Sequence, residues 1–176
     1  MPSAEWEDGS IYYKTRGEGT PVLGIMGFGL DQRFWAAQIP AVIENNTFIT
    51  FDNRGAGRST GAAVHTIDEM ANDALRLLDH LEIEKTIVFG ISMGGTIAQR
   101  IALDHPDRVS ALVLAITWAR PIEFMRRQTD LARKVIEMGG AEALVDASLI
   151  WMFTPRFFEV GRGVIDQMVL AFIAGS

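Results

Sequence analysis

Apolar and polar positions change rhythm several times along the chain, and each rhythm predicts an element. The first segment, "AEWEDGSIYYKTRG", alternates on either side of Asp8-Gly9. Glycine there can supply the positive φ of a tight turn, so the segment predicts a hairpin. "PVLGIMG" (21–27) is a short apolar run closed by glycine and predicts a buried strand. "TFITFDNRG" (47–55) predicts another strand that runs into a turn. A 3.6-residue period then takes over. Ile67, Met70, Ala71, Ala74, Leu75, Leu78 and Leu81 form one stripe, and Thr66 and Glu69 stand at capping-box spacing in front of it. "KTIVFGIS" (85–92) is β-branched and predicts a strand, and "GGTIAQRIALDHP" predicts a helix stopped before Pro106. "VSALVLAIT" (109–117) predicts a sixth strand.

Strands that alternate with helices, the later ones apolar throughout, predict an α/β fold. Its sheet would be mostly parallel with helices on both faces. After Thr117 the pattern is helical only. Three helices are predicted over 119–139, 141–152 and 155–173, broken at Gly139-Gly140 and Thr154-Pro155. Residues 1–118 therefore form a core of about six strands, and 119–176 a helical segment.

Composition narrows the function classes. The 176 residues carry a net charge of −6, and the Lys and Arg residues are scattered. Binding to nucleic acid requires clustered cations, so it is not expected. Arg126-Arg127 reads as a solvated helix face. The chain has no cysteine, which excludes disulfides, thiolate zinc sites and cysteine nucleophiles. No metal or other cofactor is expected. The N-terminus is acidic without an apolar stretch, and no run approaches the roughly 20 apolar residues that span a bilayer. Membrane association is not expected, and the cytoplasm is the default compartment.

The chemistry concentrates in "GISMGG", Gly90 to Gly95, which fits G-x-S-x-G between a predicted strand and a predicted helix. A sharp strand-to-helix turn would present Ser92 as a nucleophile, and small neighbours would let the helix close over the strand. The helix N-terminus would aim backbone N–H groups at a developing oxyanion. "GIMGFG" (24–29) follows the third strand and offers a second N–H near Phe28, or is merely a flexible turn. Trp35 and Trp118 follow strand C-terminal ends, where such sheets bind ligands; each could line an acyl pocket or belong to the core.

With those segments in place, the chain resembles the α/β-hydrolase fold family. Within it, the chain looks like the group of small serine esterases, enol-lactonases and cofactor-free haloperoxidase-like proteins. The resemblance rests on "GIMGFGLDQRFW", "FDNRGAGRST", "GISMGGTIAQRIALDHPDRVSALVLA" and "TWARPIEFMRR", and runs from about residue 10 to the end. It implies that Ser92 is the nucleophile and that Phe28 and Met93 donate the two oxyanion N–H groups. It also implies that Asp52 is structural, with Arg54, in the turn after its strand, and that 119–176 begins a helical cap. Met26 stands where many members have histidine.

A serine needs a base, and in this fold the order is Ser, then Asp or Glu, then His. His105 ends the helix that Ser92 begins, about 18–20 Å away at 1.5 Å per residue, far beyond the roughly 3 Å of proton transfer. His80 lies on the wrong edge of the sheet. His65 lies on the same edge as Ser92 but precedes the nucleophile and lacks an orienting carboxylate. The resemblance places the acid after a seventh strand and the histidine after an eighth. The chain therefore reads as the N-terminal part of a hydrolase for a carboxylic ester or lactone, acting through an acyl-enzyme at Ser92. By itself it would be incomplete or inactive. The competing readings are a non-catalytic module that binds a small acyl ligand or a partner, and a half-enzyme completed by another chain. An apolar sixth strand with nothing beside it could also drive self-association.

Overall fold

The computed structural model of the chain describes residues 2–62 and 66–173. It divides into two compact units, residues 1–119 and 120–176.

The first unit is a six-stranded mixed sheet flanked by helices. The hairpin forms as β1 (Ser3–Trp6) and β2 (Gly9–Arg16). β3 (Thr20–Ile25) leads through a 3₁₀ turn, Gln32–Trp35, and a short helix α1 (Ile39–Val42) to β4 (Asn46–Phe51). Helix α2 (Ile67–His80) precedes β5 (Thr86–Ile91), α3 (Met93–Asp104) and β6 (Val109–Ala115). The strand order is β1-β2-β4-β3-β5-β6. The pairs β1/β2 and β2/β4 are antiparallel, and the other three are parallel. β3 thus lies between β4 and β5, which brings the loops leaving β3, β4 and β5 to one end of the sheet.

Local signals account for most of this. Thr66 accepts from the Glu69 N–H while the Glu69 carboxylate accepts from Thr66 N–H, which is the capping box the spacing predicts. The apolar stripe of α2 packs with Ile97, Ala98 and Ile101 of α3 on one sheet face, over Leu23, Ile25, Ile49 and Val88. On the opposite face Val22, Met26 and Phe48 pack under Trp35.

Among the described residues β6 pairs only with β5, and Leu112, Val113 and Leu114 are exposed, so the apolar sixth strand lies at the sheet edge. The helices expected over 119–139 and 141–152 lie within α4 (Glu123–Met152), which consists of two helices joined across the non-helical backbone of Gly140 (φ 74°, ψ −169°), at the expected break. One expectation about the elements needs correction. The stretch predicted as a single helix over 155–173 is two, α5 (Pro155–Val160) and α6 (Arg162–Ile173). The Gly161 N–H closes α5 onto the Phe157 carbonyl at 2.7 Å, and the Phe157 ring lies where a side chain at 161 would stand.

Candidate active site

Ser92 sits where β5 turns into α3, and its backbone is left-handed with φ 55° and ψ −121°. A non-glycine residue in such a region costs about 1–3 kcal/mol and persists only where its surroundings hold it. They do so here from three sides. The Ser92 N–H donates to the Ala115 carbonyl of β6 at 3.0 Å. Its carbonyl accepts from the Gly95 N–H at 2.9 Å and from the Thr117 hydroxyl at 2.7 Å. The turn is therefore fastened to the strand beside it as well as to its own helix.

Close packing makes this turn possible. A Cβ on Gly94 would strike the Ile25 carbonyl oxygen and would stand 2.6 Å from the Ile25 carbonyl carbon and 2.7 Å from the Met26 oxygen. Helix α3 thus begins against the backbone of β3. The loop after β3 closes on the serine from the other side: a Cβ on Gly27 would stand 3.2 Å from Ser92 Cβ and 3.6 Å from Ser92 Oγ. Among the described residues, the Ser92 hydroxyl has no hydrogen-bond partner, and the backbone N–H groups of Phe28 and Met93 donate to no protein acceptor. Met93 follows Ser92 at the first position of α3, and Phe28 follows the glycine that packs on the serine. A half-buried hydroxyl with two unengaged backbone donors nearby suits an acyl carbon whose oxygen gains negative charge.

The loop after β4 braces this region. Asp52 is 2% exposed; its carboxylate accepts from the Gln32 N–H at 2.8 Å and the Arg58 N–H at 2.9 Å. Burial pushes its carboxyl above the ordinary value, against the opposing pull of those two N–H groups. Asn53, also buried, donates from its side-chain amide to the Met26 carbonyl at 3.1 Å. Arg54 holds the same turn through partners of its own: it makes a two-pronged pair with Asp73 of α2, at 2.9 and 2.5 Å, and a third contact to Asp8 at 3.1 Å. The hydrogen bonds to Asp73 raise the Arg54 guanidinium above its ordinary value, so it stays a cation. Asp73 lies on the buried side of α2 because Arg54 meets it there.

The aromatic candidates separate. Trp35 is fully buried, with its ring edge-on to Phe48 and Phe89 at centroid distances of 5.2 and 4.7 Å. It is core rather than pocket lining, because the 3₁₀ turn capped by Asp31 folds the indole down onto the sheet face. Trp118 is half-buried and follows β6, and its carbonyl accepts from the Gln99 side chain at 3.0 Å. His80 is 3.5 Å from the Tyr13 hydroxyl, and His105 caps the far end of α3. His65 lies outside the described residues. The described histidines thus provide no base for Ser92. Among the described residues no group of His, Asp or Glu could hold a metal, and no helix is long and apolar enough to cross a membrane.

Asn53, Asp73 and Thr117 are the residues that sequence reasoning did not single out. Each acts through a contact 19 to 27 positions away, and no local pattern marks such a contact.

The fold and sequence are shared with known proteins. A protein of Azorhizobium caulinodans named "Putative carbamate hydrolase RutD" is 34% identical over 168 residues, covering 95% of this chain and 63% of that protein. The chain spans about half to just under two thirds of the length of the curated relatives it matches. The crystal structure of the enol-lactonase from Burkholderia xenovorans LB400 is similar with a TM-score of 0.85 and 29% identity, over 97% of this chain and 67% of that one. A thermophilic esterase from Thermogutta terrifontis is similar with a TM-score of 0.83 and 28% identity, over 93% of this chain and 61% of that one. The α/β hydrolase fold family matches residues 20–132, a stretch that takes in both strand ends meeting at Ser92. By that match the chain belongs to the α/β-hydrolase fold family.

Proposed function

We propose that this protein is a serine hydrolase that opens a carboxylic ester or lactone through an acyl-enzyme at Ser92. A carbamate presents the same kind of electrophilic carbonyl, and the likeness to a protein named for carbamate hydrolysis brings it into the substrate class. The observation that carries the reading is the left-handed backbone of Ser92 between β5 and α3, with Gly27 packed on its hydroxyl side. Ser92 Oγ adds to the carbonyl carbon while its proton passes to a base. The carbonyl oxygen, now an alkoxide, takes hydrogen bonds from the N–H groups of Phe28 and Met93. Collapse of the tetrahedral species expels the alcohol or amine, and water then releases the acid. The proton acceptor and its carboxylate are supplied by polypeptide other than the described residues. In this reading residues 119–176 start a cap, and Trp118 lines the acyl pocket.

A second reading is favoured by one observation: no described histidine comes near Ser92. The chain would then be a module that binds an acyl ligand or a partner without turnover. A fluorophosphonate probe separates the two, because only an activated serine labels quickly. Rapid labelling that disappears in Ser92→Ala supports the hydrolase. Failure to label when the polypeptide that supplies the base is present, or undiminished labelling of Ser92→Ala, would overturn the nucleophile assignment.

A further inference from the structure

We infer that Asn53 is a positioning residue for the oxyanion loop, holding the Phe28 N–H in place through the Met26 carbonyl; this rests on the assignment of Ser92 and Phe28 above. The loop from Met26 to Asp31 connects β3 to the 3₁₀ turn and stiffens itself poorly. Its one internal backbone bond, Leu30 N–H to the Gly27 carbonyl, is long at 3.3 Å, and Gly29 has φ 69°. What holds it comes from two adjacent residues at the end of β4. The Asn53 amide donates to the Met26 carbonyl at 3.1 Å, and the Asp52 carboxylate accepts from the Gln32 N–H at 2.8 Å. One brace thus grips each end.

The Asn53 grip is the one nearer the chemistry. The Met26 carbonyl belongs to the peptide that leads into Gly27, and the next peptide carries the Phe28 N–H. A rotation of the first peptide therefore displaces the second donor. The same carbonyl oxygen lies 2.7 Å from where a Gly94 Cβ would stand, so it is wedged between α3 and the β4 loop. Asn53 is only 4% exposed, so water cannot readily take its place as donor. Asn53 touches neither the serine nor a substrate; its effect passes through the loop.

The test compares the native protein with Asn53→Ala and Asn53→Asp, whose carboxylate keeps the shape but cannot donate when ionised. Saturable fluorophosphonate labelling gives a rate constant, an apparent affinity and a stoichiometry. Loss of one net hydrogen bond predicts a rate constant about three- to tenfold lower. This is less than the roughly 10²–10³ that removal of an oxyanion donor costs. Affinity and stoichiometry should stay unchanged. A merely structural role would lower the stoichiometry instead. Hydrogen exchange decides the matter even if Ser92 does not label: amides of 26–32 should exchange about three- to tenfold faster in both Asn53 variants, with β4 and α3 unchanged. Native exchange in that loop, or a native rate constant in a protein that labels at Ser92, would overturn the inference.

Discussion

Replacing Gly94 by alanine sets two effects of opposite sign against each other. Gly94 is the second residue of α3, and in an open helix alanine is favoured over glycine by about 0.8–1 kcal/mol. Here the added Cβ would strike the Ile25 carbonyl oxygen and stand 2.6 Å from its carbon, 0.8 Å inside the 3.4 Å at which ordinary contact begins. Those atoms are backbone and cannot swing aside. Ile25 is held in parallel register with Gly90 of β5, so β3 cannot retreat without breaking the ladder. The relief available is for α3 to lift from the sheet, loosening Ile97, Ala98 and Ile101 in the core. Overpacking typically costs about 1–3 kcal/mol where side chains can adjust; against immovable backbone the upper end applies, leaving a net loss of about 2 kcal/mol. With a urea slope of about 1–3 kcal/mol/M, the midpoint falls by roughly 1 M. The same chemical change at Gly163 in α6 meets nothing within 4 Å among the described residues and should raise stability by about 0.5–1 kcal/mol. Urea titrations of both variants, followed by far-ultraviolet circular dichroism, read the two signs. A Gly94→Ala midpoint at or above that of the native protein would refute the argument that helix–strand closeness demands glycine there.

Two further predictions concern the oxyanion donor and the sheet edge. Phe28→Leu should leave any hydrolysis or labelling nearly intact, whereas Phe28→Pro, which removes the N–H, should slow it by about 10²–10³; equal effects of the two would assign the role to the side chain instead. The edge strand β6 exposes Leu112, Val113 and Leu114 along with unpaired backbone, so sedimentation at micromolar concentration should show self-association that Leu114→Lys reduces. A monodisperse native monomer with one sharp thermal transition would contradict this.

What could be read from the chain alone was whatever is decided within a few residues. The turn at Asp8-Gly9, the Thr66–Glu69 capping box and the period of the α2 stripe are set by residues no more than about one helical turn apart, and the Gly-x-Ser-x-Gly spacing marks a turn whose fastening is tertiary. Local contacts leave a period or a spacing in the sequence. The α/β alternation followed from those elements, and with it the edge of the sheet on which Ser92 lies. Tertiary structure decided the rest. It buried Trp35 between Phe48 and Phe89 rather than leaving it beside a pocket. It gave Arg54 to Asp73, and made a buried aspartate acceptable on the inner side of α2. It set Asn53 against Met26 and Thr117 against Ser92. A buried polar group must find a partner, but the requirement is met by whichever donor or acceptor the packed layers bring within about 3 Å. That partner's distance along the chain leaves no periodic trace, so only the assembled sheet identifies it.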